Sequence, residues 1–224
     1  MSLSGLAPQD LARLPIFPLP NVVLFPGTVM PLHVFEPRYR ALTRDVLAGR
    51  KLMGIARLRP GFEADYEGRP PLFDVCGVGI VTESSQHPDG RFELTLRGLA
   101  RVRIVEELSS EQLYREVRAE ELEDLPSDPA LTSAWQRKLI SLWALLSPHL
   151  PEPVRDLRAL TRGAEGAGAY ADRLAASLVG DPDGSQRLLA ERDPAERLRL
   201  LVEKLESVLD AVKPSAAGKR KDLN

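Results

Sequence analysis

From Arg91 to Val105 the chain reads RFELTLRGLARVRIV, and its even positions Phe92, Leu94, Leu96, Gly98, Ala100, Val102 and Ile104 are all apolar or small. The odd positions from Arg91 to Arg103 are polar apart from Leu99. Successive side chains of a strand point to opposite faces, so this alternation predicts a long, half-buried strand. Gly98 keeps the phase and predicts a sharp bend of the kind a barrel wall needs. Just before it, QHPDGR places Pro88, Asp89 and Gly90 at turn positions, which predicts a hairpin to LFDVCGVGIVTES. That partner is apolar on both faces, with Gly77 and Gly79 allowing close backbone approach. KLMGIARL predicts a further strand, and RPGFEADYEGRPP, rich in Gly, Pro and acids, an exposed loop.

The period changes twice. Tyr39, Leu42 and Val46 fall on one helical face, with Glu36 near the N-cap, Pro37 at the first helical position and Gly49 as the stop. After about residue 125 the helical period takes over. SDPALTSAWQRKLISLWALLSPHL begins with Asp128 as cap and Pro129 behind it, and carries the stripe Leu131, Trp135, Leu139, Leu142 and Leu146. RDPAERLRLLVEKLESVLDAV repeats the device with Asp193, Pro194 and Glu196, and its stripe runs through Leu198, Leu201, Val202, Leu205, Val208, Leu209 and Val212. Shorter helical pieces are expected around 170–178 and 185–191, and a polar, disordered tail over 213–224. Strands first and helices after predict an α+β chain with a barrel-like half and a small helical bundle.

Composition narrows the function classes. Apolar residues are 43% and charged residues 28%, an ordinary globular balance over 224 residues. Thirty basic against thirty-two acidic side chains give a formal charge of -2, so no global field favours nucleic acid or an anionic membrane. The single cysteine, Cys76, permits no intramolecular disulfide and fits a reducing compartment. The N-terminus lacks the basic and apolar regions of a signal peptide, and no window reaches the ~20 apolar residues of a membrane span, so a cytoplasmic location is expected.

Few motifs carry chemistry. There is no G-x-S-x-G elbow, and His33, His87 and His149 stand in unrelated contexts. Cys76 has no partner at metal-ligand spacing, and no phosphate-binding loop is present. Gly163, Gly166 and Gly168 follow no strand and read as a flexible linker between helices. The acids of EELEDLP read as a solvated face. No catalytic constellation, cofactor or metal is therefore expected. Arg97, Arg101 and Arg103 form a row on the polar side of the long strand, which is either an anion or RNA contact or, as charged strand faces usually are, a solvated row paired with acids. In HVFEPRYR, Glu36 and Arg40 are spaced as a structural ion pair fixing the strand-to-helix corner. The competing reading makes Phe35, Arg38 and Tyr39 the rim of an apolar groove that binds peptide.

The opening LPIFPLPNVVLFPGTVMPLHVFEPRYR packs six prolines into positions 14–37 of an otherwise apolar run. It resembles the start of the Lon protease N-terminal (substrate-binding) domain through Leu14-Pro15, Pro18-Leu19, Val22-Val23, Phe25-Pro26-Gly27, Pro31-Leu32 and Phe35. GLARVRI resembles that domain's later signature strand, and RDPAERLRLLVEKLESVL is similar to its closing helical region. The chain has no Walker motif for the ATPase module that follows in full Lon proteases, so it resembles the stand-alone members. The resemblance implies a PUA-like β-barrel over residues 12–122 and a helical bundle over 128–212. It also implies a non-enzymatic module that binds exposed apolar or unfolded protein segments. Met30, Phe35 and Tyr39 are the expected anchors, with Arg38 orienting a backbone group or carboxylate. RNA binding through Arg97, Arg101 and Arg103, and docking on a protease or regulator as an adaptor, are the competing readings.

Overall fold

The computed structural model describes residues 5–66 and 68–212. A first short helix, α1 (Pro8–Ala12), leads into β1 (Leu14–Leu19), β2 (Val29–Val34), α2 (Pro37–Ala48), β3 (Leu52–Arg57), β4 (Val75–Gln86), β5 (Phe92–Glu107) and β6 (Arg115–Glu121). The helical half follows with α3 (Pro129–Leu146), α4 (Leu157–Leu160), α5 (Gly166–Leu178), α6 (Pro182–Ala190) and α7 (Pro194–Val212). The strand signals come from alternation and the helix starts from caps. Asp128 accepts from the Ala130 amide at 2.7 Å, and Asp181 from Gly184 at 2.8 Å. The expected tail over 213–224 lies outside the described residues.

The length of β5 closes the barrel. Along one edge it pairs with β4; along the other, its first half pairs with β2 and its second half with β6. β6 continues to β1, β1 lies parallel to β3, and β3 returns to β4, so the sheet closes on itself. β2 is left at an edge, and there Pro31 removes no needed ladder donor. Leu99, the one break in the alternation, is the extra residue of a bulge: Gly98 faces Gly79 while Ala100 faces Val78.

The proline-rich opening is a wall shared by two cores. Residues 20–28 cross against the glycines of β4 and β5. A Cβ at Gly77 would lie 1.9 Å from the Leu24 carbonyl oxygen, and one at Gly98 2.1 Å from that of Phe25. Leu24 enters the barrel core with Phe17, Met53, Ile55 and Leu96. Its neighbours Val23 and Phe25 enter the helical core with Leu139, Trp143, Leu174, Leu189, Leu198 and Leu201.

Two helical expectations shift. On α3 the buried face is Thr132, Leu139, Trp143 and Leu146, while Leu131 is 52% exposed. Leu131 lies about 80° round the helix from Leu139 at 100° per residue, so the sequence stripe was rotated toward solvent at its start. On α7, Leu198, Leu201, Val202 and Leu205 are buried as the stripe predicts, but Val208 and Leu209 are half-buried and Val212, at the helix end, is exposed, while Arg197 is buried beside the first four.

That arginine belongs to a seam of charges between barrel and helices. Arg101, on the outer face of β5, donates to Asp124 Oδ1 at 2.7 Å, to Asp172 Oδ1 at 2.6 Å and to the Leu189 carbonyl at 3.0 Å. Arg197 donates to the same two carboxylates, at 2.8 Å to Asp172 and 2.5 Å to Asp124. Each acid thus holds both guanidinium groups, the arrangement that offsets the cost of removing charge from water. Gly168 is required here for space: a Cβ would lie 1.9 Å from Asp124 Oδ2. Gly166 and Gly168 lie in the first turn of α5, with only Gly163 before it, so they are not a linker, and Asp124 of EELEDLP is a seam ligand instead of part of a solvated face.

Candidate functional site

A pocket of about 260 Å³ opens where the first turn of α2, the 58–70 loop and the chain entering β6 meet. α2 starts as the sequence predicts, with Pro37 at its first position and Gly49 after its end. This start places Arg38 and Tyr39 side by side on the pocket wall. Pro18, Leu58, Pro70 and Leu113 supply apolar surface, and Tyr66, Tyr114, Arg69 and Arg115 supply the rest.

The polar groups of the wall are tied down. Glu36 accepts from Arg38 Nε at 3.0 Å and from the Tyr66 hydroxyl at 3.0 Å. Arg38 also donates to the Tyr66 carbonyl at 3.2 Å, and its guanidinium lies 4.8 Å from the Tyr39 ring centre and 5.2 Å from that of Tyr66. Arg115 holds Glu107 with two bonds of 2.9 and 2.5 Å and the Pro70 carbonyl with a third of 2.7 Å. The expected Glu36–Arg40 pair does not form, because Glu36 is used by Arg38 and Tyr66, two and thirty residues away. Arg40 instead lies over the β4–β5 hairpin, where a Cβ at Gly90 would meet its Nη2 at 1.9 Å.

Tyr39 is 5% exposed and its ring packs on Phe17 at 4.3 Å. Burial pushes its phenol up to about 12, so it is a neutral donor at ordinary pH. Burial and the bond to Glu36 raise the Tyr66 phenol too.

The four expected anchors are not brought together. Arg38 and Tyr39 share the pocket. Met30 lines a separate groove of about 280 Å³ with Val22, Val23, Ala176 and Val179, where β2 meets the helical half. Phe35 is 59% exposed beside His33, at a ring distance of 6.1 Å, and lines neither. Tyr66 and Arg69 carried no site signal, since RPGFEADYEGRPP read only as an exposed loop, and Leu113 and Arg115, just before and at the start of β6, carried none either.

The arginine row is not continuous at the surface. Arg97 and Arg103 are exposed, but Arg101 is 3% exposed and spent on the seam, because helices cover the outer face of β5 at that point. The histidines also differ from expectation. His33 Nδ1 and His87 Nε2 both approach Glu93 Oε1, at 2.7 and 3.6 Å, while His149 lies elsewhere in a short 3₁₀ turn. Among the described residues no group of three or more His, Cys, Asp or Glu could hold a metal. Cys76 is buried, and burial pushes its thiol up to about 12, which keeps it protonated and unreactive. No helix among the described residues is long and apolar enough to cross a membrane.

With this geometry in hand, a family model described as the ATP-dependent protease La (LON) substrate-binding domain matches residues 13–207. The Lon protease of Roseiflexus castenholzii is 31% identical over 89% of this chain and 25% of its own length. That of Dictyoglomus thermophilum is 27% identical over 85% of this chain and 24% of its own. The chain thus spans about a quarter of the length of these curated relatives. Among solved structures, the N-terminal domain of the Mycobacterium avium complex Lon protease aligns with a TM-score of 0.65 at 20% identity, covering 87% of this chain and 98% of that one. A Lon N-terminal domain protein from Xanthomonas campestris aligns with a TM-score of 0.57 at 24% identity, covering 85% and 97%. At such identities both alignments speak for the fold: a mixed sheet followed by helices.

Proposed function

Because the chain belongs to the ATP-dependent protease La (LON) substrate-binding domain family, we propose that it recognises exposed apolar segments of unfolded polypeptides and performs no chemistry on them. In this reading the barrel over residues 12–122 carries the recognition surface and the helical bundle over 128–212 braces it. It needs no cofactor and works in the cytoplasm. The observation that carries the reading is the pocket beside the FEPRYR corner. Its apolar walls offer burial to a side chain, and Arg38 and Arg115 are already held by Glu36, Glu107 and the Pro70 carbonyl, so little ordering of these two is left on binding. A flexible ligand must still order itself, which keeps affinity modest. Phe35 and Met30, outside this pocket, serve as secondary contacts along a longer segment.

The competing RNA reading needs a contiguous basic surface, and burial of Arg101 interrupts the row on which it rested. Titration of a fluorescent, permanently unfolded polypeptide at low and high salt, with structured RNA run in parallel, separates the two. Saturable polypeptide binding that changes little with salt, and weakens in Phe35→Ala, supports recognition of apolar segments. Steeply salt-dependent RNA binding without polypeptide binding would overturn it. Binding of neither would leave the adaptor role, tested by identifying a protease or regulator that co-purifies.

A further inference from the structure

The pocket holds three tyrosines whose hydroxyls are treated differently. That of Tyr66 donates to Glu36 Oε1 at 3.0 Å, and that of Tyr114 donates to Asp45 Oδ2 at 2.8 Å. The hydroxyl of Tyr39 has no hydrogen-bond partner among the described residues, although the residue is 5% exposed. It is not among the buried polar atoms that lack a partner, so it keeps some exposure, and Tyr39 lines the pocket. A buried phenol normally finds a partner, and here the cavity is where one would stand.

The neighbouring groups say what kind of partner. Both oxygens of Glu36 and both of Glu107 already accept hydrogen bonds. Among the described residues that line the pocket, the Tyr39 hydroxyl is the phenol left without a partner, and it has a proton to donate. Arg38, Arg69 and Arg115 line the same pocket, the first paired with Glu36 and the other two sharing Glu107. Three guanidinium groups thus stand against these two carboxylates and favour an electron-rich oxygen over a cation. Pro18, Leu58, Pro70 and Leu113 require the rest of the ligand to be apolar. The volume of about 260 Å³ lies below the ~300–1,000 Å³ of sites for drug-sized molecules, and suits one side chain with its own peptide group.

We infer that this pocket anchors a single apolar residue of a bound polypeptide, with the Tyr39 hydroxyl donating to that residue's main-chain oxygen. The inference rests on the function proposed above and deepens it, because it assigns what one subsite reads. The oxygen is either an internal carbonyl or a chain-terminal carboxylate. Lysine and arginine side chains are disfavoured by the guanidinium groups of Arg38, Arg69 and Arg115.

The test uses the whole chain, labelled with ¹⁵N, and three probes: N-acetyl-leucinamide, N-acetyl-leucine as the free acid, and N-acetyl-lysinamide. The leucine probes are expected to saturate and to shift amide resonances of residues 38–39, 68–69 and 113–115, whereas the lysine probe leaves them in place. Tighter binding of the acid would assign the oxygen to a chain terminus, and equal binding to an internal carbonyl. Tyr39→Phe keeps the ring against Phe17 and removes only the donor. It is expected to weaken the leucine probes about tenfold with an unchanged denaturation midpoint. Leucine probes that shift no pocket resonance in the unsubstituted chain, or that bind Tyr39→Phe as well as the parent, would overturn the inference. The fluorescent unfolded polypeptide, titrated into the same samples, keeps the two levels apart. If it binds while the leucine probes leave the pocket untouched, recognition stands and this subsite falls; if it does not bind either, both fall.

Discussion

The seam between barrel and helices and the pocket beside α2 are built from the same side chains, arginines set against carboxylates. In the seam, Arg101, Asp172 and Arg197 are 3%, 2% and 1% exposed, and each charged group meets two opposite charges. Only Asp124, at the seam's rim, has a side chain open to water, at 35%. In the pocket no charged side chain is as deeply buried as Arg101, Asp172 or Arg197: Arg115, Arg38, Glu36, Glu107 and Arg69 are 10%, 17%, 19%, 29% and 49% exposed. The difference teaches that burial decides what such a cluster can do. A closed cluster can only hold the fold in one arrangement, since any loss leaves a charge in low dielectric. An open one contributes little to stability and is left available to a ligand.

The largest effect expected from breaking this comparison is on the seam. Arg197→Leu leaves Asp172 facing Arg101 alone and is expected to destabilise by about 3–5 kcal/mol, read from the urea midpoint. The matching change in the pocket, Arg69→Gln, is expected to shift stability by about 0–1 kcal/mol. Equal losses at the two places would show that the seam is not sealed from water.

A second comparison sets the crowded glycines against an open one. Gly77→Ala drives a Cβ toward the Leu24 carbonyl at 1.9 Å, where backbone must move, and is expected to destabilise by about 1–3 kcal/mol. Gly180 has nothing within 4 Å of the same position, so Gly180→Ala should stay within about 0.5 kcal/mol of the parent. Thermal unfolding of the pair measures how tightly residues 20–28 tie the two cores together.

Much of the framework was legible because its causes are local. Alternation located β5, Pro88-Asp89-Gly90 its hairpin, and Asp128 and Asp193 the helix starts. The seam was not legible, because its partners are 23, 25, 71 and 73 residues apart. The outer side of a barrel strand is ordinarily solvated, and nothing around Arg101 says that helices will cover it. Arg38 and Tyr39 could be picked from the corner motif. Arg115 and Leu113 could not, since only the closure of β6 against β1 and β5 brings them to that corner.

The cap of α7 gives a smaller, pH-dependent effect. Asp193 accepts from the Ser127 hydroxyl, and from the Ala195 amide at 2.9 Å. The bond from Ser127, with those from the Ala195 and Glu196 amides, holds its carboxyl below the usual 3.8. A carboxyl lowered in the folded state stabilises fully above that usual value, and the contribution is lost as pH falls through the lower folded value. Asp193→Ala should therefore cost about 0.5–2 kcal/mol at neutral pH. The gap to the parent should close in acid, once pH has fallen through the lowered folded value; a gap that persists there would mean that packing of Pro194 and Ala195, not the charged cap, accounts for the loss.

The smallest effect on stability is also the one that most sharpens the contrast between seam and pocket. Leu113 lines the pocket but is 69% exposed, so it contributes little burial to the folded state. Leu113→Ser should leave the urea midpoint within about 0.5 kcal/mol of the parent. A polypeptide seated in the pocket would cover that side chain, and its removal should then weaken binding severalfold. The seam is expected to behave in the opposite sense: any variant there that still folds should bind unfolded polypeptide as the parent does, because no seam atom faces the pocket. A Leu113→Ser chain with unchanged stability and unchanged affinity would move the recognition surface away from this pocket, toward the groove that Met30 lines with Val23 and Val179.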